Sequence, residues 1–140
     1  MIRGRPPYAL VMAMLATARL PAEDLCEGQL EHFFYAGSDV SPTGLVGLEI
    51  YAADGLLRSL VVEDRERGRG TGFALVRHAE AYAASQGVRS IYLLTTTAEP
   101  FFHRLGYARL DRAAAPLSIQ RTGEFASLCP ASSAFMVKRL

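Results

Sequence analysis

Residues 60–72 read LVVEDRERGRGTG, and the character of the chain changes twice within that stretch. An apolar end, Leu60-Val61-Val62, gives way to a run of charges, and the charges give way to Gly68, Gly70 and Gly72 set two apart. The next residues, 71–85, carry Phe73, Leu75, Val76, Ala79, Tyr82 and Ala83 at close to a 3.6-residue period, with Gly87 placed to stop a helix. The stretch therefore predicts a strand that runs into a glycine turn and then into a helix. Such a junction leaves the first N–H groups of the helix without partners, and the positive end of the helix dipole adds to their pull on an anion. Glycines remove the Cβ atoms that would hold a phosphate off and allow the positive φ needed to curl around it. Arg67 and Arg69 add charge, so residues 67–72 read as a pyrophosphate cradle. The Gly-Lys-Ser/Thr of a nucleotide P-loop is missing. The dinucleotide fingerprint, whose glycines follow a first parallel strand, does not fit either.

On both sides of this junction the signals alternate between strand and helix. Residues 45–51 and 56–62 predict a hairpin turning at Ala53-Asp54-Gly55, and residues 32–37 predict a strand before it. Residues 90–95 are β-branched and apolar, 99–105 predict a short helix ended by Gly106, and 107–110 return to extended chain. Helices are expected over 8–17, 22–27 and 113–126, and a closing strand over 134–138. This order gives an α+β fold around one mostly antiparallel sheet, within a single domain covering residues 1–140.

Composition narrows the function classes. The 140 residues hold 15 Lys plus Arg against 14 Asp plus Glu, a net charge of +1 that does not suit coating nucleic acid or an acidic membrane. Cys26 and Cys129 are too far apart for a metal-ligand pair, so neither a zinc site nor a disulfide scaffold is indicated, and a cytoplasmic setting is the simplest. Arg3 and Arg5 ahead of the apolar run 8–18 imitate the order of a secretory signal; the competing reading is a first core helix ended near Arg19, and the run is too short to span a bilayer.

Two motifs in order carry a family resemblance. LVVEDRERGRGTGFALVRHAE resembles the acetyl-CoA motif of the GNAT acetyltransferase superfamily, Arg/Gln-x-x-Gly-x-Gly/Ala, with Arg67, Gly70 and Gly72 in the defining places. AEPFFHRLGY, residues 98–107, resembles the second motif of that family. The resemblance implies the GNAT fold, a twisted, mostly antiparallel sheet flanked by helices, in which the strands matching 56–62 and 90–95 splay apart. Acetyl-CoA would lie between them as cosubstrate. Backbone groups of Leu60 and Val62 would hold its pantetheine arm, and the amides of Arg67, Gly68, Arg69, Gly70, Thr71 and Gly72 its pyrophosphate. The reaction implied is direct attack of a primary amine of a small molecule on the thioester, with no nucleic acid or membrane partner and with room for a homodimer.

A protonated amine must lose a proton before it attacks. Glu49, in mid-strand with apolar neighbours, is the candidate base, because partial burial would raise its pKa; a strand carboxylate facing water is the alternative. Phe102 stands where many members of the family have a tyrosine that protonates the leaving thiolate, so it becomes a packing wall. Cys129, Ser59, a threonine of Thr95-Thr96-Thr97 or a water is then the candidate acid, and a buried small apolar residue near the last strand is the alternative for Cys129. Arg58, alone in an apolar strand, and Arg121 are candidate clamps for a substrate carboxylate; an edge salt bridge is the alternative for Arg58. His78 and His103 read as solvated-face histidines.

Residues 20–25, 56–62, 92–107 and 114–132 also look like the GNAT branch associated with bacterial arsenic-resistance operons, which suggests amino-acid-like arsenical or phosphinic amines as acceptors. The missing tyrosine supports a different class, a non-catalytic acyl-CoA-binding regulator or sensor. Acetylation of a protein amino terminus or lysine ranks below both.

Overall fold

The computed structural model describes residues 1–140. Its strands are β1 (Ile2–Gly4), β2 (Phe33–Gly37), β3 (Pro42–Tyr51), β4 (Asp54–Val62), β5 (Ser90–Thr95), β6 (Ala108–Arg109) and β7 (Ala134–Arg139), and its α-helices are α1 (Tyr8–Ala18), α2 (Thr71–Ser85), α3 (Glu99–Arg104) and the single turn α4 (Leu117–Gln120). One sheet in the order β1-β2-β3-β4-β5-β7-β6 contains all seven strands. Every neighbouring pair is antiparallel except β4 with β5.

The parallel pair is short. Asp54, Gly55 and Leu56 face Ser90, Ile91 and Tyr92, and there the ladder ends. Beyond it, β4 stays paired with β3 and β5 with β7, so the sheet forks down its middle. A β-bulge shapes one arm of the fork. Leu45 faces Val61 while Gly47 faces Arg58, so Val46 lies opposite two residues, Ser59 and Leu60. Ser59 takes φ 60, a left-handed conformation that costs an L-residue about 1–2 kcal/mol.

The alternating strand pattern divides the core between the two faces of the sheet. Phe34, Val46, Leu48 and Leu57 pack beneath α2, which buries Leu75, Val76, Ala79 and Ala83. On the opposite face, Phe33, Tyr35 and Leu45 pack with Val11, Met14 and Leu15 of α1. The apolar run after Arg3 and Arg5 is thus a core helix, ended by Arg19 in the left-handed region. Gly47 is required on this face by close approach, because a Cβ there would run into the ring of Phe33. Under α2, Glu80 is buried but satisfied: Lys138 Nζ donates to both of its oxygens at 3.0 and 3.1 Å, and the Tyr107 hydroxyl donates at 3.0 Å. No helix is long and apolar enough to cross a membrane.

Two expectations need correcting. Residues 22–27 form no helix; a 3₁₀ helix follows instead at Glu27–His32. Residues 113–126 do not form one helix but a 3₁₀ turn at Arg112–Ala114, α4, and a π-helical turn at Glu124–Leu128. Pro116 breaks the first join, and at the second the Thr122 hydroxyl both donates to the Ile119 carbonyl at 2.8 Å and accepts from the Phe125 N–H at 3.3 Å. The extended chain expected at 107–110 holds β6 at its centre, and the Leu110 N–H donates to the Phe135 carbonyl of β7 at 2.9 Å.

Candidate acyl-transfer site

The fork and the glycine turn open two cavities that meet. The first, about 640 Å³, is lined by Leu60 and Val62 of β4, residues 66–73 apart from Arg69, and Thr97, Ala98, Phe101 and Arg104. The second, about 390 Å³, lies deeper in the fork between β4 and β5, with Ser59, Thr95, Thr96, Phe102, Glu124 and Ser133 in its wall. Leu60, Thr97 and Ala98 belong to both.

The first cavity is built for an anion at its turn end. Gly68 and Gly70 take φ 80 and 81, and a Cβ on either would meet no protein atom within 4 Å, so nothing in the chain fills the space above them. The N–H groups of Gly68, Gly70, Thr71 and Gly72 find no acceptor within the chain, while the Ala74 N–H already closes the first helical bond onto the Gly70 carbonyl at 2.9 Å. The side chains of Arg67 and Arg69 on the turn are largely exposed and paired with Asp64 at 3.2 Å and Glu66 at 3.5 Å. Arg104, exposed and unpaired at the end of α3, is the cation the sequence reading passed over. The arms of the fork supply main-chain groups: along 57–62 and 93–95 the facing edges of β4 and β5 have no ladder with each other.

The second cavity differs from what the sequence suggests. Arg58 does not reach into it as a free clamp. Its side chain is fully buried, Asp24 accepts from Nη1 and Nη2 at 2.5 and 2.9 Å, Glu49 accepts from Nη1 at 2.7 Å, and Glu124 stands 3.4 Å from Nη2. Nε donates to the Ser59 hydroxyl at 3.1 Å and Nη2 to the Pro21 carbonyl at 3.3 Å. Burial opposes the charge, but hydrogen bonds to Asp24 and Glu49 and the charge of Glu124 outweigh it and hold the guanidinium ionised.

Glu49 is engaged by Arg58 and by the Tyr51 hydroxyl, and it is not part of the wall of either cavity. Arg121 is exposed and lines neither cavity, so no clamp forms there. Phe102 is buried in the wall, edge-on to Phe101 and Tyr107. Cys129 is half-buried just behind the wall; burial and the neighbouring Glu124 charge push its thiol up to about 12. His78 packs edge-on against Phe34, and His103 is exposed.

Two wall groups went unread in the sequence. The Ser133 hydroxyl oxygen is buried without a hydrogen-bond partner. Glu124 is only 4% exposed, and burial pushes its carboxyl up to about 7, against the pull of Arg58. Neither carried a signal: Ser133 lies in a run of small residues, and Glu124 lies in what reads as an amphipathic helix.

A forked sheet with a glycine cradle at the start of the following helix defines an acyl-CoA transferase architecture. Residues 9–107 match the model of the acetyltransferase (GNAT) family, and the chain belongs to that family. It is 32% identical over 99 residues to an uncharacterized N-acetyltransferase, CT2212, of Chlorobaculum tepidum, a match covering 68% of this chain and 63% of that protein. N-acetylglutamate synthase from Neisseria gonorrhoeae, solved with coenzyme A and N-acetyl-glutamate, superposes over the whole chain and 35% of its own with a TM-score of 0.84 and 19% identity. Rv2747 from Mycobacterium tuberculosis, solved with CoA, superposes over all of this chain and 99% of its own with a TM-score of 0.80 and 19% identity. The chain thus spans less than two thirds of both CT2212 and the synthase.

Proposed function

We propose that this chain is an N-acetyltransferase that moves the acetyl group of acetyl-CoA onto a primary amine of a small molecule. The observation that carries the reading is the meeting of two unlike cavities at Leu60, Thr97 and Ala98: one ends in unpaired amides suited to a pyrophosphate, the other in buried polar groups suited to an acceptor. Gly68, Gly70, Thr71 and Gly72 would hold the phosphates, and main-chain groups of Leu60 and Val62 the pantetheine arm. The thioester supplies an activated acyl carbon for attack by the amine. The chain's own contribution is to align the two reactants in a narrow cavity, to exclude water and to take up a proton.

Phe102 favours a second reading. With a phenyl ring in the wall, Phe102 supplies no phenol to protonate a departing thiolate, and a protein that binds acyl-CoA without turning it over needs none. The experiment that separates the two is release of free CoA from acetyl-CoA across a panel of amines and amino-acid analogues, with acetyl-CoA binding followed by calorimetry. Arsenical and phosphinic amino acids belong in the panel because of the operon-linked resemblance of residues 20–25, 56–62, 92–107 and 114–132. Release stimulated by an amine is the expected result. Tight binding with no stimulated release by any amine would favour the sensor.

A further inference from the structure

We propose that Glu124 is the group in this chain that takes the proton from the acceptor's ammonium, and that Arg58, Asp24 and Glu49 position it. The inference rests on the transferase reading and deepens it at the acceptor end.

Three carboxylates converge on one buried guanidinium, but they are not held equally. Asp24 grips both terminal nitrogens of Arg58, and Glu49 is fixed by Arg58 through one oxygen and by Tyr51 through the other. Glu124 has only the 3.4 Å contact to Nη2 and no second cation or hydroxyl holding it. It is also the one carboxylate of the three in the cavity wall, among Ser59, Thr95 and Ser133. The loosely held carboxylate is thus the one that faces the space an acceptor would occupy.

The surroundings suit proton uptake. The charged and titratable groups around Glu124 are Arg58 on β4, Asp24 on the loop after α1, Glu49 on β3 and Cys129 at the end of its own turn. Arg58 and the Cys129 thiol stabilise the carboxylate, whereas burial, Asp24 and Glu49 oppose it, and the balance lies at about 7. Near neutral pH such a group both accepts and returns a proton. Cys129, pushed up to about 12, remains a thiol there and does not compete as a base. Glu124 also opens a π-helical turn, a distortion that occurs frequently at functional sites. Ser133, with its buried hydroxyl unpartnered in the same wall, leaves a polar valence that the protein itself does not fill.

The step balances as follows. One N–H proton of the ammonium passes to a Glu124 oxygen, and the freed lone pair forms the C–N bond to the thioester carbonyl carbon. The C–S bond breaks with its electron pair on sulfur. A second proton from the same nitrogen ends on that sulfur as free thiol, and Glu124 returns its proton to water. An ammonium and a thioester become an amide, a thiol and one released proton.

The test is kcat against pH at saturating acetyl-CoA and amine, using whichever amine stimulates CoA release, for wild type, Glu124→Gln and Glu49→Gln. Wild type is expected to lose rate about tenfold per pH unit below about 7, the limb that an essential base leaves. Glu124→Gln should lower kcat at pH 8 roughly 100-fold, erase that limb, and leave acetyl-CoA affinity within about twofold by calorimetry. Glu49→Gln should keep the limb. Persistence of the limb in Glu124→Gln, or its loss in Glu49→Gln alone, would overturn the proposal and leave the transferase reading standing. Wild type whose CoA release is stimulated by none of the amines overturns both. Should Glu124→Gln fail to fold, carbon-13 titration of the Glu124 carboxyl in wild type decides: a midpoint near 7 is expected, and an ordinary carboxylate midpoint overturns the assignment.

Discussion

Arg58→Met removes the cation from the buried cage while keeping an unbranched stem of similar length in its place. Asp24, Glu49 and Glu124 would then share a space with no counter-charge, their side chains only 20%, 10% and 5% exposed. Breaking a buried pair from one side costs about 3–5 kcal/mol, because the charge left behind has lost its partner. For a chain of this length that is a fall in Tm of roughly 10–15 °C. The pH dependence sharpens the expectation. In wild type the folded-state value of Glu124, about 7, lies above its ordinary 4.5, so burying the neutral acid stabilises fully below 4.5 and that stabilisation is lost as pH rises through 7. The loss amounts to about 3 kcal/mol at most. Without the pull of Arg58 the Glu124 carboxyl rises further, so the variant's deficit should be largest at pH 8 and shrink toward pH 5, where protonation of Glu124 relieves the repulsion. Thermal melts followed by circular dichroism at both pH values measure this. A deficit below about 3 °C at pH 8, or one equal at the two pH values, would refute the view that Arg58 neutralises a buried acidic cluster.

Gly70→Ala places a Cβ above the cradle at φ 81, where it touches no protein atom; folding should lose about 1–2 kcal/mol while acetyl-CoA binding by calorimetry weakens about tenfold or more, and unchanged affinity would remove the cradle from the binding site. Phe102→Tyr introduces a phenol into the fork wall, and kcat should rise if expulsion of the thiolate limits turnover; an unchanged kcat would mean that no acid is wanted at that position. Gly47→Ala should lower the urea midpoint by the equivalent of about 1–3 kcal/mol through overpacking on Phe33, with acetyl-CoA affinity retained, and an unaltered midpoint would show that the ring can move aside.

Local signals in the chain were enough for most of the fold and for the glycine turn that walls the first cavity. The β3–β4 hairpin, α2 and the glycine turn announce themselves through period, turn residues and charge within a few residues. The deeper cavity in the fork was not legible, because its charged cluster is assembled from afar. Arg58 alone in an apolar strand reads as a spare cation, and only folding brings Asp24, Glu49 and Glu124 onto it and turns a clamp into a cage. The same distance hid Glu124: its segment has a helical pattern, but Pro116, the Thr122 side chain and the close approach of Gly123 to Asp24, where a Cβ would lie 3.0 Å from two side-chain atoms, break the helix and aim the carboxylate inward. Glu49 looked available from its neighbours, yet a buried arginine opposite it in three dimensions engages it.

The shortness of the β4–β5 ladder means that the molecule is less one sheet than two rigid leaves sharing a seam of three residue pairs. The four-stranded leaf β1–β4 and the three-stranded leaf β5-β7-β6 are each internally paired along their length, whereas the seam is the line along which backbone bonds are fewest. The bulge at Ser59 helps keep that line from zipping further, since it shifts the phase of the strand so that Leu60 packs on the α2 face and Val61 on the α1 face. The hydrogen bond from Arg58 Nε to the Ser59 hydroxyl braces the strained residue from behind. The buried charge cluster therefore acts as a prop for the seam as well as furniture for the cavity. An extended ligand lying along the free edges would bind the leaves together as a splice, and its arrival should register as slowed amide exchange along residues 57–62 and 93–95 with little change in overall shape.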